Sequence, residues 1–481
     1  MTALPPARPP TVGALPFAAF LAAFAGGCGH RPADGAPDMV VVLVDGLRTG
    51  AHPLETAHQA LLDAAGLQPT FSYDDAYAQT LSDHAAFGSL VTGRYPSAVP
   101  ICGTPSLVVA DAPTPWCLSI PGDVPTLPQV LGLYGYRTAL VTTRAPAETS
   151  VQRGFDEVDV VADGWDGVVA KAGTWWAGGA EKQRLLVIDA PLDLSEVVAL
   201  AGQTAEGAVL ATNDPRGAPR FDPDSLRWYK LPFGPPRTMR DAWAEGDAAY
   251  QAAARVAGEG IALLLDRLGE PERTRLVALT SLHGVTNLEL TGSGHPEQMR
   301  PGEARLLLER TIHVPLDIAF SDQEGPAVHV TRTVQLIDLL PTLAAQAGAM
   351  APHGVAGVDL LGDDTDPGLA YAEYGDMLAL RSGNRLLRFR VEDHGITSLN
   401  PALTEMLLKR DGLGRPGVLE LFDVARDPFQ HEDLRSSEAQ VAWDLYESLV
   451  ALRTGPARPP EEEMSWEQVQ ALRTEGALGY W

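Results

Sequence analysis

The stretch MVVVLVDGLR, residues 39–48, decides the fold of this chain. Its first six residues are apolar and mostly β-branched, too few to span a membrane and typical of a strand buried on both faces. The stretch is therefore the predicted first strand of a parallel α/β sheet. Ligands of such sheets bind beyond the carboxyl ends of the strands, where Asp45 and Gly46 follow. Asp45 is a candidate ligand of a metal or substrate, and the alternative is a solvated acid in a turn.

Three further apolar runs have the same character. Residues 138–142 and 184–189 are predicted strands, and the second of them, RLLVID, again ends in an acid, Asp189. Residues 275–280, RLVALT, continue directly into the polar sequence Ser-Leu-His-Gly, which contains His283. Because parallel strands end at one edge of the sheet, these polar groups are expected to gather there.

The segment QTLSDHAAFGSLVTGRYP, residues 79–96, is a predicted helix. It begins with residue types that cap helices, and Gly93 is a natural end point. If its N-terminus faces the Asp45 end of the sheet, it forms a ready binding site for an anion.

Composition excludes some classes of partner. The chain has 62 acidic and 36 basic residues among 481, a formal charge of −26. A field of this sign repels nucleic acids and anionic membrane surfaces, so we expect no nucleic-acid partner. An anionic substrate would need a local cluster of cations or a metal ion.

The N-terminus predicts export and anchoring. Residues 1–27 contain a short apolar run followed by small residues, typical of a secretory signal. The sequence Ala-Gly-Gly-Cys ending at Cys28 resembles a bacterial lipobox, which predicts lipidation of Cys28 and a position in the cell envelope, facing the periplasm or the exterior. The alternative is a secreted protein with a free Cys28. Cys102 and Cys117 then remain as a pair in an oxidising compartment, and we expect a disulfide between them.

Composition and periodicity divide the chain into five parts. They are a signal peptide (1–27), a tether (28–38), a large α/β domain (39–365), a smaller C-terminal α+β subdomain (366–455), and a linker with a terminal helix (456–481). The expected fold class is α/β, with a large mixed but mainly parallel sheet flanked by helices.

The order of the motifs resembles the sulfatase branch of the alkaline phosphatase superfamily over nearly the whole chain after residue 39. The segments that carry the resemblance are VVVLVDGLR, LVTGRYP, TLPQVLGLYGYRTALVTT, GFDEVDV, TSLHG, LLLERTIHVPL, TVQLIDLLPTLAAQAG, GVAGVDLLG, ELFDVARDPFQHEDL and EQVQALRTEGALGYW. TSLHG is similar to the family's T-S-D-H-G or T-S-D-N-G metal motif, and LLLERTIHVPL to its L-Y-E-E-x-x-R-V-P-L run. The resemblance implies hydrolysis of sulfate or phosphate esters.

The resemblance also implies a divalent cation (Ca, Zn or Mn) if the protein is active, and none if it is not. Its ligands would be Asp45, His283, Asp189 and His295. A cation of this kind polarises the ester oxygens and lowers the pKa of a nucleophile.

Three positions depart from the family's metal pattern. Gly46 stands where a second acid commonly follows the first, and Leu282 stands where the metal motif has an aspartate. Pro191 replaces a histidine expected two residues after Asp189. A leucine cannot bind a cation, so the site is expected to be impaired.

The nucleophile has two alignments. No Cys-x-Pro-x-Arg motif occurs, which excludes a formylglycine enzyme. Aligned from its front, TLSDHA resembles T-L-P-S-H-A of relatives with a threonine nucleophile, so Thr80 is the nucleophile and His84 its charge partner. Aligned from its back, without an insertion, the nucleophile slot holds Asp83 and the arginine slot Phe87, a pair that leaves no plausible chemistry. We favour the first alignment.

Two functions follow from these residues. The first is a lipid-anchored, sulfatase-like hydrolase of anionic esters that uses Thr80 and a reduced metal site. The second is a catalytically inactive sulfatase-fold protein that binds a glycan or a protein at the cell envelope.

Overall fold

The computed structural model describes residues 35–49, 56–99, 120–143, 152–193, 239–284, 307–362, 368–374, 377–390, 419–427, 430 and 432–453. Cys28, Cys102, Cys117 and His295 lie outside these ranges, so lipidation, the disulfide and the role of His295 stay predictions. Within the described ranges, no helix has the length and apolar character needed to cross a membrane.

A nine-stranded sheet forms the body of the protein. Its strands are β1 (Asp38–Leu43), β2 (Phe71–Tyr77), β3 (Arg137–Thr142), β4 (Glu157–Val160), β5 (Arg184–Asp189), β6 (Arg275–Thr280), β7 (His313–Phe320), β8 (Val328–Val330) and β9 (Val334–Gln335). The order is β4-β3-β5-β1-β6-β7-β2-β8, and β9 pairs with β2. All neighbours are parallel except at β7, which runs antiparallel to β6 and β2.

A second sheet lies in the C-terminal part of the chain. It contains four antiparallel strands, β10 (Leu369–Tyr374), β11 (Met377–Ser382), β12 (Arg385–Arg390) and β13 (Leu419–Asp423), in sequential order. The α/β fold class expected from the sequence, with a mainly parallel sheet and a smaller α+β part, is confirmed.

Helices flank the sheets. They are α1 (Ala57–Ala65), α2 (Asp83–Thr92), α3 (Leu127–Leu133), α4 (Gly164–Ala177), α5 (Met239–Leu268), α6 (Glu309–Ile312), α7 (Leu339–Gln346) and α8 (Ala439–Arg453). Two of them differ from the sequence prediction. The helix expected over 79–96 begins at Asp83, and residues 333–347, which also have a helical pattern, form a helix only from Leu339, because Gln335 pairs with Tyr77 of β2 as a short strand.

The strand β1 is buried on both faces, as its sequence predicts. Met39, Val41 and Leu43 belong to one hydrophobic cluster, which packs against α2, α3 and α7. Val40 and Val42 belong to a second cluster on the opposite face, which packs against α1, α4 and α5. Burial on both faces fixes the position of the strand, so the turn that follows it is held at a defined place on the edge of the sheet.

Candidate functional site

The turn after β1 lies beside the turn after β6. Val44 N–H donates to the carbonyl of Thr280 (2.9 Å), which extends the strand pairing by one residue. Gly46 then adopts φ +85°, forms an isolated bridge with Gly284, and donates its N–H to the carbonyl of His283 (3.1 Å). The glycine at position 46 is thus used for a left-handed turn that side chains disfavour. This turn places Asp45 next to His283.

His283 contacts both acids of the site. Its backbone N–H donates to Asp45 Oδ1 (3.2 Å), and its Nε2 lies 3.9 Å from Asp45 Oδ2. The same Nε2 lies 2.6 Å from Oδ1 of Asp83. At the other side of the ring, Nδ1 is 3.0 Å from the carbonyl oxygen of Gly284, which can only accept a hydrogen bond. Nδ1 therefore carries a proton, and in the neutral ring Nε2 is left as the atom that can bind a cation.

The two carboxylates control the charge of this histidine. Burial acts to lower the pKa of His283, but the charge of Asp45 and the hydrogen bond and charge of Asp83 act in the opposite direction and raise it to about 10. Without a cation, His283 is an imidazolium that neutralises part of the acidic charge. A bound cation would take the place of that proton.

Asp83 reaches the site because it is the first residue of α2. Ser82 is extended and ends the preceding segment, so the N-terminus of α2 points toward the turns that follow β1 and β6. An acid in the first turn of a helix is stabilised by the helix dipole. The N-terminus of this helix thus lies at the Asp45 end of the sheet, and the side chain that it brings there is Asp83.

The hydroxyl of Tyr250 in α5 forms hydrogen bonds with the backbone of the turn after β1. Its hydroxyl accepts a hydrogen bond from Arg48 N–H (2.9 Å) and donates one to the carbonyl of Gly46 (2.8 Å). The Arg48 guanidinium lies over the tyrosine ring, 4.9 Å from its centroid. Two buried backbone groups of the turn are therefore satisfied by one side chain.

The structure brings two of the predicted metal ligands together and leaves a third outside their group. Asp45 and His283 lie together, whereas Asp189 at the end of β5 accepts a hydrogen bond from Thr142 Oγ1 (2.9 Å). Among the described residues, the group of ligand atoms within 4.8 Å of one another that contains His283 consists of Asp45, Asp83 and His283 and does not include Asp189. The role of Asp189 as a ligand stays a prediction.

Leu282 belongs to the hydrophobic core. It is 1% exposed and belongs to the hydrophobic cluster on one face of the main sheet. The side chain at the position of the family's aspartate thus contributes to the core, and Asp83 supplies a carboxylate from another element.

The predicted nucleophile lies just ahead of α2. Thr80 is fully buried, and its Oγ1 accepts a long hydrogen bond (3.4 Å) from Ser82 N–H. His84 is the second residue of α2 and partly exposed. The residue that the structure brings to His283 is Asp83, which occupies the nucleophile slot of the second alignment. The sequence signal for it was its place directly after a capping serine, at the start of a helix.

These three side chains suit a divalent cation. Two carboxylate oxygens and one imidazole nitrogen, all partly or fully buried, form a mixed set that Zn and Mn accept, and carboxylate oxygens also suit Ca. Their formal charge is −2 when His283 is neutral, which a divalent ion balances. The residues therefore fit the cation that the sequence resemblance implies.

Known structures share this fold. Similar structures include the 2-O GAG sulfatase BT1596 (16% identity, 90% of this chain and 96% of that chain, TM-score 0.58) and BT4656 in complex with its substrate D-glucosamine-2-N,6-O-disulfate (14%, 89% and 100%, 0.57). A third is Ps i-CgsB in complex with k-i-k-neocarrahexaose (15%, 92% and 98%, 0.57). No family model and no curated protein matches the chain. The fold is therefore that of sulfatases, at low sequence identity.

Proposed function

We propose that this chain, which has the sulfatase fold, is a hydrolase of sulfate or phosphate esters that uses a divalent cation held by Asp45, Asp83 and His283. The observation that carries the proposal is the convergence of these three side chains, from three separate elements, at the edge of the sheet where ligands of open α/β sheets bind. When bound, the cation would polarise an ester oxygen and lower the pKa of a nucleophile.

The protein's own residues prepare this site. His283 Nδ1 donates to the Gly284 carbonyl, which fixes the ring with Nε2 toward the two acids. The backbone N–H of His283 holds Oδ1 of Asp45, so that carboxylate has a set orientation before any ligand arrives. A pre-oriented set of donors loses little freedom when it binds, which favours affinity.

Thr80 is the proposed nucleophile, with His84 as its charge partner. Thr80→Ser and Thr80→Ala test this role, because serine keeps a hydroxyl at a fully buried position and alanine removes it. We expect Thr80→Ser to keep measurable turnover of an aryl sulfate or aryl phosphate and Thr80→Ala to lose it by about 10³-fold or more. Wild-type turnover by Thr80→Ala would exclude Thr80 as the nucleophile.

The proposed substrates are sulfated or phosphorylated saccharides. Two of the similar structures hold a sulfated glucosamine and a neocarrahexaose, and the acidic charge of this chain requires a local cation for any anionic ester. A panel of sulfated mono- and oligosaccharides, with sulfate release as the readout, tests this class.

Cys28 is proposed to carry the lipid that anchors the protein to the bacterial envelope. The support is the lipobox-like sequence that ends at this residue. Wild-type protein expressed in a bacterial host is expected to partition into the detergent phase and Cys28→Ser into the aqueous phase. Equal aqueous partitioning of both would contradict the anchor.

The decisive experiment is a cation titration. Metal-free protein is titrated with Mn²⁺ by calorimetry, alongside Asp83→Asn and the surface control Asp63→Asn, whose carboxylate contacts Gln59. We expect one site in the wild type and the control, and about 100-fold weaker binding in Asp83→Asn, since even outer partners of metal ligands contribute 10- to 100-fold. No Mn²⁺ binding by the wild type, together with no turnover, would reject the proposal.

A further inference from the structure

One short segment receives hydrogen bonds from all three turns of the site. The carbonyl of Thr311 accepts from Gly284 N–H (2.9 Å), that of Ile312 from Ala78 N–H (2.8 Å), and that of His313 from Thr49 N–H (3.3 Å). Gly284 is the neighbour of His283, and Ala78 and Thr49 lie on the segments that carry Asp83 and Asp45. Three consecutive carbonyls at the end of α6 thus hold the backbones that position the three site residues.

The segment is fixed by its own buried side chains. Glu309 and His313 lie one helical turn apart, with His313 Nδ1 3.4 Å from Glu309 Oε1. Tyr77 of β2 donates its hydroxyl to Glu309 Oε1 (2.6 Å), and its ring stacks on His313 with a centroid distance of 4.9 Å. The orientation of α6 therefore depends on Glu309 and His313.

Arg381 joins this segment to the second sheet. It lies on β11, is 4% exposed, and places Nε 3.4 Å from Glu309 Oε2 and an Nη 3.3 Å from Asp75 Oδ1. Asp75 Oδ1 also lies 2.9 Å from the hydroxyl oxygen of Tyr77, and Asp75 Oδ2 accepts a hydrogen bond from Thr333 (2.6 Å). The guanidinium thus lies between an acid of α6 and an acid of β2.

The charges of this group are balanced. Asp75 and Glu309 supply two negative charges, and Arg381 and His313 supply positive ones. Burial acts to raise the pKa of Glu309, but His313, Arg381 and Tyr77 lower it, and the pKa of His313 is raised by Glu309 and Asp75 against the effect of its burial. Although Asp75, Glu309 and His313 could offer ligand atoms to a metal, the guanidinium already supplies the positive charge that a metal would bring.

We propose that Arg381 is a positioning residue of the site: through Glu309 and Asp75 it holds α6, and α6 holds the turns that carry Asp45, Asp83 and His283. The C-terminal sheet then contributes to the geometry of the site through Arg381. The inference rests on the proposed cation site for its functional meaning, but its structural part can be tested without a cation.

Hydrogen exchange in metal-free protein tests the coupling directly. The change is Arg381→Met, which removes the charge and keeps an unbranched apolar side chain. The matched control is Arg388→Met on the neighbouring strand β12, because Arg388 is equally buried and forms its ion pair with Glu420 of β13 (2.8 Å). We expect the amides of Thr49, Ala78 and Gly284 to exchange about tenfold faster in Arg381→Met.

The pattern of exchange separates positioning from simple destabilisation. Amides within β1 and β6 should keep their wild-type protection in Arg381→Met, and Arg388→Met should leave the three turn amides unchanged. Faster exchange of the whole sheet, or equal effects of the two substitutions on the turns, would overturn the inference. If Arg381→Met does not fold, Tyr77→Phe tests the same network with a smaller change, since the ring can still stack on His313. We expect threefold to tenfold faster exchange at the three amides in this variant.

Mn²⁺ affinity provides the functional readout. Arg381→Met is expected to bind Mn²⁺ about tenfold more weakly than the wild type and Arg388→Met to bind within twofold of it. If the wild type binds no Mn²⁺, the proposed function fails while the exchange result still decides the positioning role. If the wild type binds Mn²⁺ and Arg381→Met binds it equally well, the positioning role fails while the proposed function stands.

Discussion

Oδ1 of Asp83 lies 2.6 Å from Nε2 of His283, although 200 residues separate the two in the chain. The contact joins the first residue of α2 to the turn after β6. A hydrogen bond between a carboxylate and an imidazolium is charge-assisted and therefore stronger than a neutral one. The charge state of His283 should therefore respond to any change at position 83.

Asp83→Asn is expected to lower the pKa of His283 in metal-free protein. Asparagine can still accept a hydrogen bond but has no charge to stabilise the imidazolium, while Asp45 and the burial of the ring remain. Titration of the ring followed by NMR measures the effect. Asp63→Asn, on the surface of α1, should leave this titration as it is in the wild type. An unchanged His283 titration in Asp83→Asn would contradict the contact.

Leu282→Asp should destabilise the protein without improving cation binding. The side chain lies in the apolar core, so an aspartate there would bury a carboxylate among apolar side chains, at a cost of several kcal/mol. Leu282→Ala is expected to lose about 2–5 kcal/mol through the cavity alone. Urea unfolding measures both, and Leu133→Asp at a 71% exposed position serves as the control. Tighter Mn²⁺ binding by Leu282→Asp would show that this position can reach the site.

Gly284→Ala should be strongly destabilising. A Cβ at this position would overlap the carbonyl oxygen of Arg310 and lie 2.9 Å from Cβ of Arg48, so the contact between α6 and the turn after β6 would have to open. We expect a loss of about 1–3 kcal/mol, typical of overpacking. Gly132→Ala is the control, since its Cβ would meet open space in α3 and alanine favours helices. A neutral Gly284→Ala would argue against the tight packing of this turn.

Stability should depend on pH through Glu309 and His313. The pKa of His313 is raised, so its contribution is complete below its ordinary value of 6.5 and is lost as pH rises above it. The pKa of Glu309 is lowered, so its contribution is present above 4.5 and is lost as pH falls below that value. The network thus stabilises the protein most between these two values.

Thermal unfolding across the pH range measures this dependence. His313→Gln should reduce the loss of stability on the alkaline side, because glutamine does not titrate, while the part contributed by His283, whose pKa is also raised, remains. His353→Gln changes a histidine outside this network and should leave the profile as it is in the wild type. Identical profiles for wild type and His313→Gln would contradict the assignment.

The sequence predicts the parallel strands of the main sheet well, because strands buried on both faces appear as unbroken apolar runs. The strands β5 and β6 have the bounds that their apolar runs predict, Arg184–Asp189 and Arg275–Thr280. The strand β2 was missed, because its sequence FSYDDAY contains two adjacent acids and has no apolar run. One of these acids, Asp75, faces Arg381 and Thr333, and such long-range ion pairs leave no periodic signal in the sequence.

The site was predicted in part for a similar reason. Asp45 and His283 follow apolar strands, so their position at the edge of the sheet could be inferred from the chain alone. Asp83 could not be assigned in this way, since its role depends on where α2 begins and how the helix packs on the sheet. The structure shows that α2 begins at Asp83, four residues later than the predicted segment.

The three carbonyls at the end of α6 have a consequence for how the protein is made. They belong to residues 311–313, whereas two of the turns that they hold lie at Thr49 and Ala78, within the first fifth of the chain. Synthesis must therefore pass residue 313 before the turn that carries Asp45 has its partner. A truncated product that ends before α6 contains Asp45, Asp83 and His283 but lacks the three carbonyls that hold the backbone around them. Incomplete chains are therefore expected to have no aligned site.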